Sequence, residues 1–192
     1  MTTIYLVRHG ETMWNKEGRI QGHRNVPLSP SGIEQGKRLA EKVKNIPIDW
    51  IYSSDLERAL HTAQLVAEHK QLPVNLVPEL RERFFGEWEG LTSQEIEVKY
   101  PGHSWDSGTN TGGKFGIEKM ESLIQRADQS LLTIAKRHKG QHILVVSHGG
   151  LIRAFLRGLG TECDQIGNTS ITQIVHVDQK WKILKVNDMD YL

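Results

Sequence analysis

Two short runs bring together the residue types of an anion-handling site. "LVRHGET", Leu6 to Thr12, ends an apolar segment in Arg8, His9 and a glycine. "LVVSHGG", Leu144 to Gly150, ends a second apolar segment in Ser147, His148 and a glycine pair. Arg58 lies in "SSDLERALHTAQ" and Glu82 in "LRERFFGEWEG". A guanidinium is a planar fork of N–H donors that matches phosphate oxygens. A helix that opens with Gly149 and Gly150 can turn backbone N–H groups toward an anion. In such surroundings one neutral imidazole can attack phosphorus and form a covalent phosphohistidine. A carboxylic acid beside the ester oxygen then protonates the departing alcohol, and its carboxylate activates water. The chemistry these residues suit is phosphoryl transfer.

The elements needed to gather them can be read from periodicity. Strands are expected at "TIYLV", "DWIYSS", "PVNLVP" and "HILVVS", the last apolar without alternation and therefore buried on both faces. Helices are expected at "LSPSGIEQGKRLAEKV", at "SDLERALHTAQLVAEHK" with a capping box of Ser54 and Glu57, at "TSQEIEVKYP", at "IEKMESLIQRADQSLLTIAKRHKG" and at "GGLIRAFLRGLG". "TSITQIVHVDQKWKILKVN" reads as a terminal antiparallel pair turning at Asp178 to Lys180. This alternation predicts an α/β fold, a three-layer sandwich with a largely parallel central sheet and helices on both faces, in a single domain over 1–192. Ligands of such sheets bind outside the carboxyl ends of the strands. Arg8, His9, Ser147 and His148 fall at that edge, and Arg58 starts near it.

Net charge is +1 with histidines neutral, which gives no support to a nucleic-acid or membrane-surface role. A single cysteine, Cys163, permits no internal disulfide and fits a reducing cytoplasmic compartment. No apolar run approaches a membrane span. Nine histidines invite a metal reading, yet no HExxH or His/Cys cluster occurs, and His61, His69 and His138 fall on helical patterns as expected surface residues.

"LVRHGETMWN", "IQGHRNVPLSPSG", "SSDLERALHTAQ", "LRERFFGEWEG" and "VVSHGG" together resemble, in order and over nearly the whole chain, the histidine phosphatase superfamily, also called the phosphoglycerate mutase-like family. The resemblance implies that His9 is the nucleophile, that Arg8, Arg58 and His148 hold the phosphoryl group, and that Glu82 is the proton donor. It places Asn15, Gln21, Gly22 and Gly149 beside the phosphate, and it implies no metal and no organic cofactor. "FFGEWEG" runs promptly into a short helix, which resembles the shorter phosphatase branch. The expected activity is a metal-independent phosphatase acting on a small phosphorylated metabolite. The alternatives are a phosphoglycerate mutase or the narrower alpha-ribazole phosphatase activity.

Other readings concern the walls of the site. Glu79, Glu87 and Glu89 are expected as solvated charges beside Glu82. Trp14, Phe84, Phe85, Trp88 and Trp105 are candidates for an apolar wall. Gly102 to Gly116, rich in Gly, Ser, Thr and Asn, is expected to be a lid or substrate loop (102–116) with Trp105 on it. Arg81, Arg83, His103 and Lys114 are the candidate cations for a second anionic group. The sequence assigns no oligomeric state.

Overall fold

A computed structural model describes residues 1–103 and 112–191. The first half of the chain runs β1 (Thr2–Arg8), α1 (Met13–Glu17), α2 (Pro30–Lys42), β2 (Trp50–Ser53), α3 (Glu57–Lys70) and β3 (Val74–Leu76). The second half runs α4 (Ser93–Lys99), α5 (Met120–Arg137), β4 (His142–Ser147), α6 (Gly149–Gly158), β5 (Ile171–Val177) and β6 (Lys180–Asp188). The sheet order is β3-β2-β4-β1-β5-β6. Its first four strands are parallel, and β5 and β6 complete it antiparallel, as the terminal hairpin pattern anticipates.

Side chains alternate across a strand, and here both directions are apolar. Ile4, Leu6, Ile143 and Val145 pack on α5 and α6 through Leu123, Leu131, Leu151 and Phe155. Tyr5, Val7, Leu144 and Val146 pack on α2 and α3 through Leu39, Val43, Ala63 and Val66. Helices therefore cover both faces. A smaller third core gathers Ile20, Phe85, Trp88, Ile96 and Ile117 beneath the chain that follows Glu82. Among the described residues no helix is long and apolar enough to cross a membrane.

Several local expectations are corrected. The Ser54–Glu57 capping box does not form: α3 starts at Glu57 with Leu56 at its N-cap and no side-chain cap. Asn25 Oδ1 takes the Glu57 N–H instead, at 2.8 Å. The long helix begins at Met120, because Ile117 turns into the third core ahead of it. His138 is 5% exposed, held between the Tyr52 hydroxyl and Gln141 rather than at the surface. Trp88 is wholly buried in the third core and lines no part of the cleft described below, and Glu89 has only 4% of its side chain exposed, so it is not a solvated charge. Trp105 and residues 104–111 of the expected lid lie outside the described residues. The rest of that segment lines no part of the cleft described below.

Candidate active site

The register of the central strands sets the site. β1 and β4 lie side by side with Arg8 opposite Ser147, and Val146 is opposite Ser53 of β2. Three parallel strands thus end together, and the next residues, His9, His148 and Ser54, leave the sheet at one edge. His9 and His148 face each other with ring centroids 5.2 Å apart.

The His9 ring is 2% exposed and its tautomer follows from its partners. Nδ1 lies 2.7 Å from the carbonyl oxygen of Gly10. A carbonyl only accepts, so Nδ1 carries the hydrogen and Nε2 keeps its lone pair. That lone pair meets the Arg58 Nε–H at 3.2 Å. Burial, then the charges of Arg58 and Arg8, hold the His9 pKa well below 6.5, with the Gly10 bond a smaller opposing effect. At neutral pH the ring is an uncharged base between two cations.

Arg58, 1% exposed, is fastened by its remaining donors: Nη2 to the Gly22 carbonyl and Nη1 to the Arg24 carbonyl, both at 2.8 Å. Burial lowers its pKa to about 10, so it remains a cation. Arg8 donates from Nη1 to the Ile166 carbonyl at 2.6 Å, while its buried Nε has no partner among the described residues. His148 is wholly buried and has its pKa held well below 6.5 by burial first and Arg58 next. Its Nε2 meets the Ser54 hydroxyl at 2.9 Å. Ser54 Oγ also accepts the Leu56 N–H, and keeps one hydrogen and one lone pair with which to meet His148 Nε2. The other ring nitrogen, Nδ1, is buried without a partner among the described residues. Two buried nitrogens without partners among the described residues, Arg8 Nε and His148 Nδ1, therefore flank His9. This arrangement fits the oxygens of a phosphoryl group, which would satisfy them.

Glu82 stands at the mouth. Its Oε2 accepts the Gly150 N–H at the start of α6 at 2.9 Å, and Oε1 accepts the Arg83 N–H at 2.8 Å. It lines, with Arg8, His9 and Arg58, a cleft of about 720 Å³, a size suited to a small ligand. Asn15, Gln21, Gly22 and Gly149 line the same cleft. Thr12 occupies the amide oxygens of Asn15 and Gln21, which leaves their NH₂ groups as the donors for a ligand. Gly22 has φ +50°, and a Cβ there would sit 2.0 Å from Glu89 Oε1. Only glycine lets the chain pass this close and aim its carbonyl at Arg58.

The structure also shows supports that have no signature in the sequence. Glu89 accepts N–H bonds from His23 at 2.8 Å and Phe85 at 3.2 Å, tying the loop that holds Arg58 to the loop that carries Glu82. The His23 ring donates from Nε2 to the Glu82 carbonyl at 2.8 Å. Asn168 donates to the His9 carbonyl at 3.0 Å. Of the expected wall aromatics, Trp14 and Phe85 line the cleft; Phe84 packs on His23 instead. None of the four expected outer cations reaches it. Arg81 grips Asp55, Arg83 donates to the Glu118 carbonyl and lies over Phe85, His103 packs on Phe115, and Lys114 is exposed. Among the described residues no group of three or more His, Cys, Asp or Glu is placed to hold a metal ion.

Comparison with known proteins agrees with this geometry. Residues 4–189 match the family model described as "Histidine phosphatase superfamily (branch 1)". The chain is 38% identical to the metal-independent phosphoserine phosphatase of Arabidopsis thaliana, over 100% of the chain and 84% of that protein. It is 34% identical to the adenosylcobalamin/alpha-ribazole phosphatase of Escherichia coli (strain K12), over 95% of the chain and 94% of that protein. A solved structure of a mutant phosphoserine phosphatase from Entamoeba histolytica, in complex with phosphoserine, superimposes with a TM-score of 0.86 at 32% identity and covers 100% of both chains.

Proposed function

The chain belongs to the histidine phosphatase superfamily, and within it we propose a metal-independent phosphatase that hydrolyses small phosphate monoesters through a phosphohistidine at His9. The observation that carries this reading is the His9 tautomer: the Gly10 carbonyl accepts a hydrogen bond from Nδ1–H, which leaves Nε2 as an uncharged nucleophile against Arg58. In the first step the Nε2 lone pair forms the N–P bond as the P–O ester bond breaks. Glu82 in its acid form gives its proton to the departing oxygen. Arg8 Nε, Arg58 Nε and His148 Nδ1, the last in the tautomer that carries its hydrogen on Nδ1, supply the N–H donors for the phosphoryl oxygens, whose charge they balance. In the second step Glu82, now a carboxylate, takes a proton from water as the water oxygen attacks phosphorus and the N–P bond breaks. Inorganic phosphate leaves and His9 is restored as it began.

Phosphatase-named relatives and solved neighbours support a phosphatase; relatives named phosphoglycerate mutase-like or probable phosphoglycerate mutase match over similar shares, so the mutase is the alternative to be tested. The substrate on this reading is a small phosphorylated metabolite, as in the relative bound to phosphoserine. The test sets a phosphate-release assay beside a coupled phosphoglycerate mutase assay. We expect phosphate to be released in step with ester consumed and without any bisphosphoglycerate primer. Primer-dependent isomerisation with little free phosphate would overturn the assignment.

A further inference from the structure

Beyond the ring around His9, the cleft has one cation left to offer. Four arginines line it: Arg8, Arg19, Arg58 and Arg153. Arg58 is buried and Arg8 partly buried beside His9, and Arg19 is already paired with Glu17 and Glu95. Arg153 is exposed, and its one hydrogen bond among the described residues runs from Nη1 to the backbone carbonyl of Asp164, at 3.1 Å. Its Nε and Nη2 form a fork with no partner among the described residues. The same chain shows what that fork binds when a carboxylate is present: Arg81 uses Nε and Nη2 to grip both oxygens of Asp55, at 2.7 and 2.5 Å.

Position decides what Arg153 can meet. It lies three residues along α6 from Gly150, on the same helix face, and Gly150 N–H holds Glu82. Glu82 serves the departing alcohol, so Arg153 flanks that half of the substrate. It is close enough to Arg8 for the two charges to repel.

We propose that Arg153 is a specificity-determining residue that receives a carboxylate carried by the leaving alcohol. The preferred substrates are then phosphate monoesters of short hydroxy acids, hydroxy amino acids included. One planar fork suits one planar monoanion. A second phosphate dianion would call for more than a single cation. The inference rests on the reading of His9 and Glu82 given above and adds the substrate class to it.

The matched pair of O-phosphoserine and O-phosphoethanolamine tests it, because the two differ only by the carboxylate. The native protein should prefer O-phosphoserine in kcat/KM. In Arg153→Met, which keeps the length of the stem, that preference should fall by about tenfold to a hundredfold, mainly through KM, the loss expected for a charge-assisted bidentate contact. Arg153→Lys should restore only part of it, because a point charge replaces a fork. A native protein with no preference, or a preference that survives both substitutions, overturns the proposal. The reading of His9 is decided separately by turnover of p-nitrophenyl phosphate, which carries no carboxylate.

Discussion

A single carbonyl, that of Gly10, fixes the His9 tautomer and leaves Nε2 with the lone pair on which the proposed attack depends. Glu82, the proposed proton donor, is held by two backbone N–H groups, so its carboxyl is fixed in place before any substrate arrives. Glu82→Gln keeps the shape and removes the transferable proton. In single-turnover experiments the variant should slow the cleavage of an alkyl phosphate by about a hundredfold or more, the usual size of a general-acid contribution. Cleavage of p-nitrophenyl phosphate, whose phenolate departs unaided, should fall far less. Equal losses on both would show that Glu82 donates no proton. The five charged or imidazole groups were legible in the sequence because the chemistry restricts their residue types. Ser54 and Asn168 were not, since a hydroxyl that orients His148 and an amide that braces His9 resemble any other polar residue. Arg81 and Arg83 lie nearer Glu82 in sequence than Arg153 does, but they turn to Asp55 and Glu118, a choice that no local pattern displays.

The first turn of α6 serves the site through its backbone, and this makes Gly150 more than a helix residue. A Cβ there would lie 2.3 Å from Glu82 Oε1. Alanine is a better helix former than glycine by about 1 kcal/mol, and the end of a glutamate side chain moves at little cost. Gly150→Ala should therefore leave the thermal midpoint at or above that of the native protein while kcat falls, because Glu82 is displaced. A kcat equal to the native value, with the fold intact, would contradict the assigned position of Glu82. Most elements were legible from apolar spacing. The capping box at Ser54 misled because the same hydroxyl is claimed by His148 and the Leu56 N–H, a tertiary demand that overrides a local motif. Helix α1, only five residues long, is too short to display a period.

Taken as a whole, the molecule buries two neutral imidazoles at the edge of its sheet. His9 and His148 both have pKa values well below 6.5, through burial and then the nearby arginine charge. In the unfolded chain each takes up a proton near pH 6.5. Below that pH the unfolded state binds more protons than the folded one, so stability is fully present above about pH 6.5 and is lost as pH falls toward the folded values. Denaturant midpoints should decline below about pH 6.5, and His148→Gln should make this decline shallower; the same slope in both proteins would contradict the linkage. The composition and the βα alternation made the layered architecture legible. The strand order was not, because placing β1 between β4 and β5 depends on pairings that span most of the chain and leave no local pattern.

The most direct test of the account is to stop the reaction in alkali during turnover of a phosphate monoester and map any phosphoryl group left on the protein. The account predicts an acid-labile, alkali-stable adduct on the peptide that contains His9, and none in His9→Ala, which should also lose turnover. An adduct on another residue, or undiminished turnover by His9→Ala, would contradict it.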